Sequence, residues 1–263
     1  MQPICLHNKH EIEAFLLDKP LLHLYELGDL DDFFWPYTTW YALKDAQRVQ
    51  QLALLYTGTA LPVLLAISDT PAPMRELLIA ILHLLPRRFY AHLSANVTQA
   101  LTTDYHLDSH GPHYKMALRD RTLPGRVDTS HVEQLSVSDR DTLAAMYRAS
   151  YPGNWFDPRM LETGYYIGIR HGPAIVSVAG VHVYSRQYNA AALGNVATHP
   201  DWRGRGLGTA VCAKLCQALS QSVEHIGLNV KTNNASAIAS YTRLGFETIA
   251  TYEEYMCELR TIR

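Results

Sequence analysis

The chain has 263 residues, of which 48% are hydrophobic and 18% charged, and its formal net charge is −2. This length suits two domains of ordinary size, and the composition supports a globular core. The near-neutral charge gives no electrostatic reason to expect nucleic acid as a partner. Residues 1–10 lack a basic start and an apolar run, and the most hydrophobic stretch, 52–67, contains Gly58 and Pro62. We therefore expect neither a signal peptide nor a membrane-spanning helix.

The spacing of the four cysteines does not indicate a metal site or a redox pair. They are Cys5, Cys212, Cys216 and Cys257, and none forms a C-x-x-C pair. Their intervals do not match a zinc framework. Cys212 and Cys216 are four apart on one predicted helix, where they serve as small apolar side chains. Reduced thiols of this kind predict a cytoplasmic protein without a metal.

The first half of the chain predicts two helices and three strands. In order, these are a helix at 10–17, strands at 51–56 and 62–68, a helix at 74–85 and a strand at 88–93. Asn8 is the predicted cap of the first helix, with Glu11 three residues later. The acidic and aromatic segment 25–35 is typical of a solvated turn with aromatic anchors, and it could also line the entrance for a substrate.

Low apolar density over 119–129, with the turn at Pro124-Gly125, predicts a domain boundary. We expect an N-terminal α/β lobe over residues 1–125 and a second lobe over 130–263. The second lobe begins with a strand at 132–135 and a helix that Ser138 and Asp141 start. Strands follow at 165–170, 174–184 and 191–198, then a helix at 209–222, a strand at 226–230, a helix at 235–244 and one or two strands within 247–258. The predicted fold class is α/β, with a mixed, mostly antiparallel sheet flanked by helices.

The most informative segment is a glycine-rich basic turn that leads from a predicted strand into a helix. It reads Arg203-Gly204-Arg205-Gly206-Leu207-Gly208-Thr209. Its glycines let the main chain approach a ligand without Cβ clashes, and the N–H groups at a helix N-terminus attract anions. Arg203 and Arg205 add positive charge. The turn contains no lysine for a P-loop, and Thr209 stands where the dinucleotide pattern needs glycine.

This turn, which follows His199-Pro200, resembles the pyrophosphate loop of the GCN5-related N-acetyltransferase superfamily, with its Arg/Gln-x-x-Gly-x-Gly/Ala pattern. The segment from Asn234 to Gly245-Phe246 is similar to that superfamily's closing helix and its exit. The likeness covers roughly residues 130–258. The first half lacks the glycine turn, so it is either a degenerate copy of the same fold or an unrelated cap. Such a two-lobed layout is similar to that of the glycine N-acyltransferases.

The resemblance implies acetyl-CoA or another acyl-CoA as cosubstrate, and no metal. The cofactor would lie between the strand that ends near Thr198 and the strand at 228–230. The implied cofactor-binding residues are Val196, Thr198, Arg203, Gly204, Arg205, Gly206, Leu207, Gly208, Thr209, Asn229, Asn234 and Tyr241. Asn234 would either bind the pantetheine or cap its helix.

The resemblance also implies two catalytic groups. The N–H of Val196 would stabilise the charge that develops on the thioester oxygen. Tyr241 would donate a hydrogen bond to the leaving sulfur. A free phenol has a pKa near 10 and a thiol about 8.5, so full proton transfer is uphill by roughly 2 kcal/mol. The general base stays open among His182, Asn195 acting through a water, Glu162 and His199.

Two further groups of residues allow more than one interpretation. His106, His110 and His113 have helical spacing, but Gly111-Pro112 would break a helix between them. We therefore expect a surface loop rather than a metal site. Trp155 and Phe156 follow a Pro-Gly pair, where they form either an aromatic wall for the acceptor or simple packing onto the sheet.

The expected function is an N-acetyltransferase in which a primary amine of a small molecule or amino acid attacks acetyl-CoA directly. The alternatives are a protein or peptide N-acetyltransferase and a non-catalytic acyl-CoA-binding sensor. The expected partner is a small-molecule amine acceptor. A homodimer is left open, and neither nucleic acid nor a membrane is expected as a partner.

Overall fold

A computed structural model describes residues 1–45, 48–154 and 156–260. The chain divides into two compact units: unit 1 is Met1–Lys115 with Ile249–Arg263, and unit 2 is Met116–Thr248. The division between Lys115 and Met116 falls before the predicted boundary at 119–129, and residues 249–263 belong to unit 1. The reason lies in the predicted linker, where Pro124 is buried and its carbonyl accepts a hydrogen bond from Gln217 of unit 2 at 2.8 Å.

Unit 1 is a mixed sheet with helices on its faces. Its strands are β1 (Gln2–Cys5), β2 (Thr38–Lys44), β3 (Val49–Tyr56), β4 (Val63–Ala66), β5 (Arg88–Ser94) and the parts of β6 (Tyr105–Leu118) and β12 (Phe246–Leu259) that fall in this unit. Its helices are α1 (Lys9–Leu17), α2 (Leu24–Asp29) and α3 (Pro71–Ile81). Neighbouring strands from β1 to β4 pair antiparallel, β4 pairs parallel with β5, and β5 pairs antiparallel with β12.

The core of unit 1 follows from the alternation of its strands. Phe89, Ala91 and Leu93 of β5 are buried in one cluster with Met74 and Leu78 of α3. Because successive strand residues point to opposite faces, the remaining side chains of β5 face away from α3. The predicted cap of α1 is confirmed, since the Asn8 side chain accepts from two N–H groups of the first turn.

Unit 2 has the same kind of sheet. Its elements are β7 (Glu133–Gln134), α4 (Arg140–Ser150), β8 (Ile167–His171), β9 (Ala174–Ser185), β10 (Ala190–Thr198), α5 (Leu207–Leu219), β11 (His225–Lys231) and α6 (Ala235–Arg243). Strands β7 to β10 pair antiparallel with their neighbours, and β10 pairs parallel with β11. The predicted mixed, mostly antiparallel sheet flanked by helices is confirmed.

The two units repeat one order of elements. In each unit, four successive strands pair antiparallel with their neighbours. A helix follows the fourth strand, and the fifth strand pairs parallel with the fourth. Unit 1 differs at the turn into that helix, where Pro71 and Pro73 stand in the first helical turn and no glycine is present. Proline has no N–H group, so this turn lacks two of the donors that an anion would need.

Two local predictions need correction. The start of α4 is not Ser138 with Asp141, because Ser136 and Asp139 form the capping box. Asp139 also accepts from the Arg170 guanidinium at 2.6 Å, which holds the carboxylate at this end. The segment with the three histidines is not a surface loop, because residues 105–118 form β6, and Gly111 with φ +86 allows the strand to continue past Pro112.

Cys212 and Cys216 are buried, as predicted. Cys212, Cys216 and Cys257 are buried free thiols, and Cys5 is exposed. Burial raises the pKa of Cys212 and of Cys257 to about 12, which leaves both as unreactive thiols. None of the helices in the described residues has the length and apolar character needed to cross a membrane.

Gly245, which ends α6, has a backbone that only glycine suits. Its φ is +92, a Cβ there would collide with the carbonyl oxygen of Asp120, and its own carbonyl accepts from Arg119 and Asp120. We expect Gly245→Ala to lower the free energy of unfolding by about 3 kcal/mol, from left-handed strain and overpacking together. Urea unfolding measures the loss.

Gly172→Ala is the matched control for this change, because Gly172 also has a positive φ, +58, and a Cβ there meets nothing within 4 Å. It should cost about 1 kcal/mol, the strain alone. Equal losses in the two variants would show that the contact with Asp120 does not constrain the chain at Gly245.

Candidate functional site

The parallel pair β10 and β11 separates before either strand ends. In the described residues their pairing stops at Leu193 with Leu228, although β10 continues to Thr198 and β11 to Lys231. Beyond the last pair the facing edges no longer bond to each other, so their N–H and C=O groups are available to an extended ligand. We call this opening the cleft. The cleft lies between the two strands that the resemblance implied as the borders of the cofactor site.

A β-bulge shapes the β10 side of the cleft. Gly194 pairs with Gly180 and Ala197 with Val178, so β10 has one extra residue within Asn195–Val196. Asn195 accordingly has φ +53, which is rare for a residue other than glycine. A bulge re-aims the side chains and amides beside it, and here it changes the direction of the main chain at Val196.

Two buried tyrosines hold this bulge. The Tyr147 hydroxyl donates to the Asn195 carbonyl at 2.7 Å, and the Asn195 side chain donates to the Tyr166 hydroxyl at 3.0 Å. Burial raises the pKa of both phenols, and that of Tyr147 is raised well above its usual value. The ring of Phe156 lies 5.1 Å from the Tyr147 ring and 5.6 Å from the Tyr166 ring. Phe156 therefore packs against these two tyrosines. Trp155 lies outside the described residues.

The glycine turn presents main-chain donors at the start of α5. Gly204 and Gly206 both have φ +76, and Gly206 is the N-cap of the helix. The first helical hydrogen bond runs from the Ala210 N–H to the Gly206 carbonyl at 3.0 Å. The N–H groups of residues 207–209 precede it and have no acceptor within the helix. Donors of this kind and the helix dipole suit an anion.

The two arginines of the turn donate to main-chain carbonyl groups that precede the turn in the chain. Arg203 donates to the Thr198 carbonyl at 3.2 Å and to the Ser150 carbonyl at 3.4 Å. Arg205 donates to the Asp201 carbonyl at 3.2 Å and lies over the Trp202 ring at 4.6 Å. Their charges still lie beside the helix N-terminus, but these contacts give them a second task, which is to fix the path of the turn.

Three further predicted site residues lie on the last two elements of unit 2: Asn229 on β11, Asn234 at the N-cap of α6 and Tyr241 within α6. The Asn234 side chain accepts from the Ala237 N–H at 3.2 Å, so it caps α6. Tyr241 is buried, with its ring 5.9 Å from Phe246 in an edge-to-face arrangement. Asn229 lies just past the last β10–β11 pair, and its Oδ1 is buried without a hydrogen-bond partner in the described part of the chain. A buried acceptor of this kind fits an amide N–H of a ligand in the cleft.

The structure separates the four candidate bases. Asn195 holds the bulge, and His199 accepts from the Asp201 N–H through Nδ1 at 3.4 Å. Glu162 is exposed in the turn Pro158–Thr163. His182 is itself a bulged residue of β9, since Ala192 pairs with Val183 and Leu193 with Val181. Its ring covers Gly194, the first β10 residue of the cleft, where a Cβ would collide with it.

The comparisons with known proteins agree with this geometry. Residues 130–246 match the acetyltransferase (GNAT) family. A tandem GNAT protein from the clavulanic acid biosynthesis pathway has a TM-score of 0.60 and 15% identity, with 100% of this chain and 99% of that chain covered. At that identity the likeness shows the fold alone. Residues 130–246 are thus similar to the acetyltransferase (GNAT) family, and the fold of the chain is similar to that of a tandem GNAT protein.

Two curated relatives match shorter segments. The ribosomal protein bS18-alanine N-acetyltransferase of Escherichia coli is 38% identical over 66 residues, which is 25% of this chain and 45% of that enzyme. The mycothiol acetyltransferase of Saccharomonospora viridis is 43% identical over 61 residues, 23% of this chain and 20% of that enzyme. The matches thus span less than half of either relative.

Proposed function

We propose that unit 2 transfers an acetyl group from acetyl-CoA to a primary amine of a small molecule or amino acid. One observation carries the proposal: the strand β10 of the opened pair leads into the glycine turn and the first N–H groups of α5, which have no acceptor within the helix. Acetyl-CoA has an extended arm and an anionic end, so it needs an open strand edge and an anion-binding turn next to each other. The match of residues 130–246 to the acetyltransferase (GNAT) family supports the same activity.

In this proposal the pantetheine arm of acetyl-CoA lies in the cleft, and its diphosphate accepts from the main-chain N–H groups of residues 204–209. Val196 and Thr198 border the arm on the β10 side. Asn229 borders it on the β11 side, where its orphaned Oδ1 accepts from an amide of the arm. Asn234 caps α6 and so fixes the start of the helix that follows β11. No metal takes part.

The reaction is a direct attack. The neutral amine nitrogen forms a bond to the thioester carbon, the C–S bond breaks, and CoA leaves as a thiolate. The Val196 N–H stabilises the charge on the carbonyl oxygen, because the bulge beside it fixes its direction before the reaction starts. Tyr241 donates a hydrogen bond to the leaving sulfur. His182 accepts the ammonium proton, directly or through a water.

A protein or peptide acceptor is the second candidate, and the likeness to the bS18-alanine enzyme favours it. A non-catalytic acyl-CoA sensor is the third. Release of CoA from acetyl-CoA, measured with small amines, amino acids and N-terminal peptides as acceptors, separates the three. We expect turnover with at least one small amine or amino acid. Turnover with peptides alone would mean that the acceptor is a peptide and not a small molecule or amino acid. Binding of acetyl-CoA without any turnover would support the sensor.

A further inference from the structure

Unit 1 contains a cluster of ionisable side chains that the proposed acetyl transfer does not use. It lies on the face of β5 turned away from the α3 core, and α2 supplies its other side. Its members are His23, Glu26, Asp29, His92, His113, Lys115 and Glu254. No group of three or more His, Cys, Asp or Glu residues in the described residues is arranged to hold a metal ion. The cluster therefore needs another explanation.

Within this cluster, the Glu254 carboxylate has hydrogen-bond donors around both of its oxygens. Its carboxylate accepts from the Tyr90 hydroxyl at 2.6 Å and the Tyr252 hydroxyl at 2.7 Å. The Nε2 atoms of His92 and His113 each lie 3.5 Å from it. Burial would raise the pKa of Glu254, but the histidines and phenols outweigh burial and lower it. Glu254 is thus a fixed anion with its acceptor positions in use.

Glu26 is an incompletely satisfied anion. Its side chain is only 5% exposed, Oε1 lies 3.4 Å from His23 Nδ1, and Oε2 is buried without a hydrogen-bond partner among the described residues. Burial would raise its pKa, but Lys115 and His23 outweigh burial and lower it. Asp29 follows one turn later, and burial together with the charge of Glu26 raises its pKa well above the usual value. These surroundings thus favour the ionised form of Glu26 and the protonated form of Asp29.

Lys115 is the matching cation. It is 4% exposed, and its Nζ lies 5.1 Å from the Tyr25 ring and 5.6 Å from the Tyr252 ring. Among the described residues, Glu26 and Glu254 act on this nitrogen through their charges, without a side-chain hydrogen bond. Burial lowers the pKa of Lys115, whereas Glu26 and Glu254 raise it. Two opposite charges thus influence each other without forming an ion pair, and leaving buried charges unpaired is costly.

We propose that unit 1 binds a small α-amino acid as a zwitterion, with its ammonium toward Glu26 and its carboxylate toward Lys115. Each end of such a ligand forms charge-assisted hydrogen bonds with one incompletely satisfied group. An amine or a carboxylate alone satisfies only one of the two. The Tyr25 and Tyr252 rings, already beside a cation, form the side walls.

Calorimetric titration of the full chain tests the ligand class. Glycine, L-alanine and L-leucine are the zwitterions, and ethylamine and acetate represent the two halves. We expect at least one amino acid to bind with a Kd at least tenfold below that of either half. The proposal is wrong if none of the amino acids binds, or if a half-ligand binds as tightly as the best of them.

Three variants locate the site and separate it from acceptor binding in unit 2. Glu26→Gln and Lys115→Met should each raise the Kd of the best amino acid at least tenfold and leave the Kd for acetyl-CoA unchanged. The exposed Glu76→Gln, in the same unit, should change neither. If the buried variants do not fold, a crystal of the unmodified protein soaked with that amino acid decides. A ligand bound away from Glu26 and Lys115, or variants that bind normally, overturns the proposal.

Discussion

Replacing Gly206 with leucine should raise the Kd for acetyl-CoA at least about a hundredfold. Gly206 has φ +76, and space is open beside its Cα. Leucine in this conformation is strained by about 1–2 kcal/mol, so the turn will move. Each charge-assisted hydrogen bond to the diphosphate is worth about 1.5–3 kcal/mol, and the loss of two accounts for the hundredfold change. Equilibrium titration with acetyl-CoA measures it.

Gly172→Leu is the control for this experiment. Gly172 has φ +58 in the turn between β8 and β9 and is equally open, so leucine there introduces the same kind of strain away from the cleft. This variant should bind acetyl-CoA as the unmodified protein does. If the Gly206 variant is folded and its Kd lies within twofold of the original, the turn does not bind the diphosphate, and the proposed function loses its main support.

Much of the fold could be predicted from local sequence signals, and the exceptions have physical causes. The second lobe was predicted nearly element by element because its strands end at clear turns, such as His171-Gly172-Pro173 before β9. In the first half, α2 has only six residues and contains Gly28, so its helical propensity is low. The strand β6 was missed because Gly111-Pro112 interrupts its pattern.

The candidate site divides in the same way. The glycine turn was predicted because its positive φ angles and the helix start belong to one short segment. The bulge at Asn195–Val196 depends on the register of β10 against β9 and on phenols from two other parts of the chain, Tyr147 and Tyr166. No local pattern encodes such a contact, although the left-handed tendency of Asn is a weak signal. The bonding of Arg203 to carbonyl groups was likewise invisible in the sequence.

Replacing Tyr241 with phenylalanine should lower kcat about 10- to 100-fold and leave the Kd for acetyl-CoA unchanged. The phenylalanine ring keeps the edge-to-face contact with Phe246, so the change removes the hydroxyl and little packing. A hydrogen bond to a charged group contributes about 1.5–3 kcal/mol, and each 1.36 kcal/mol of barrier is a factor of ten in rate. Steady-state CoA release at saturating amine gives kcat, and titration gives the Kd.

This separation of kcat from Kd distinguishes a role at the leaving sulfur from a role in packing, because the charge on sulfur develops only as the C–S bond breaks. Tyr165→Phe is the matched control, since it removes another phenol of unit 2, one bonded to Ser222 at 2.9 Å. It should leave kcat unchanged. Loss of acetyl-CoA affinity in the Tyr241 variant would make that hydroxyl a binding group. An unchanged kcat would mean that the thiolate leaves without its help, and the leaving group would then need another donor.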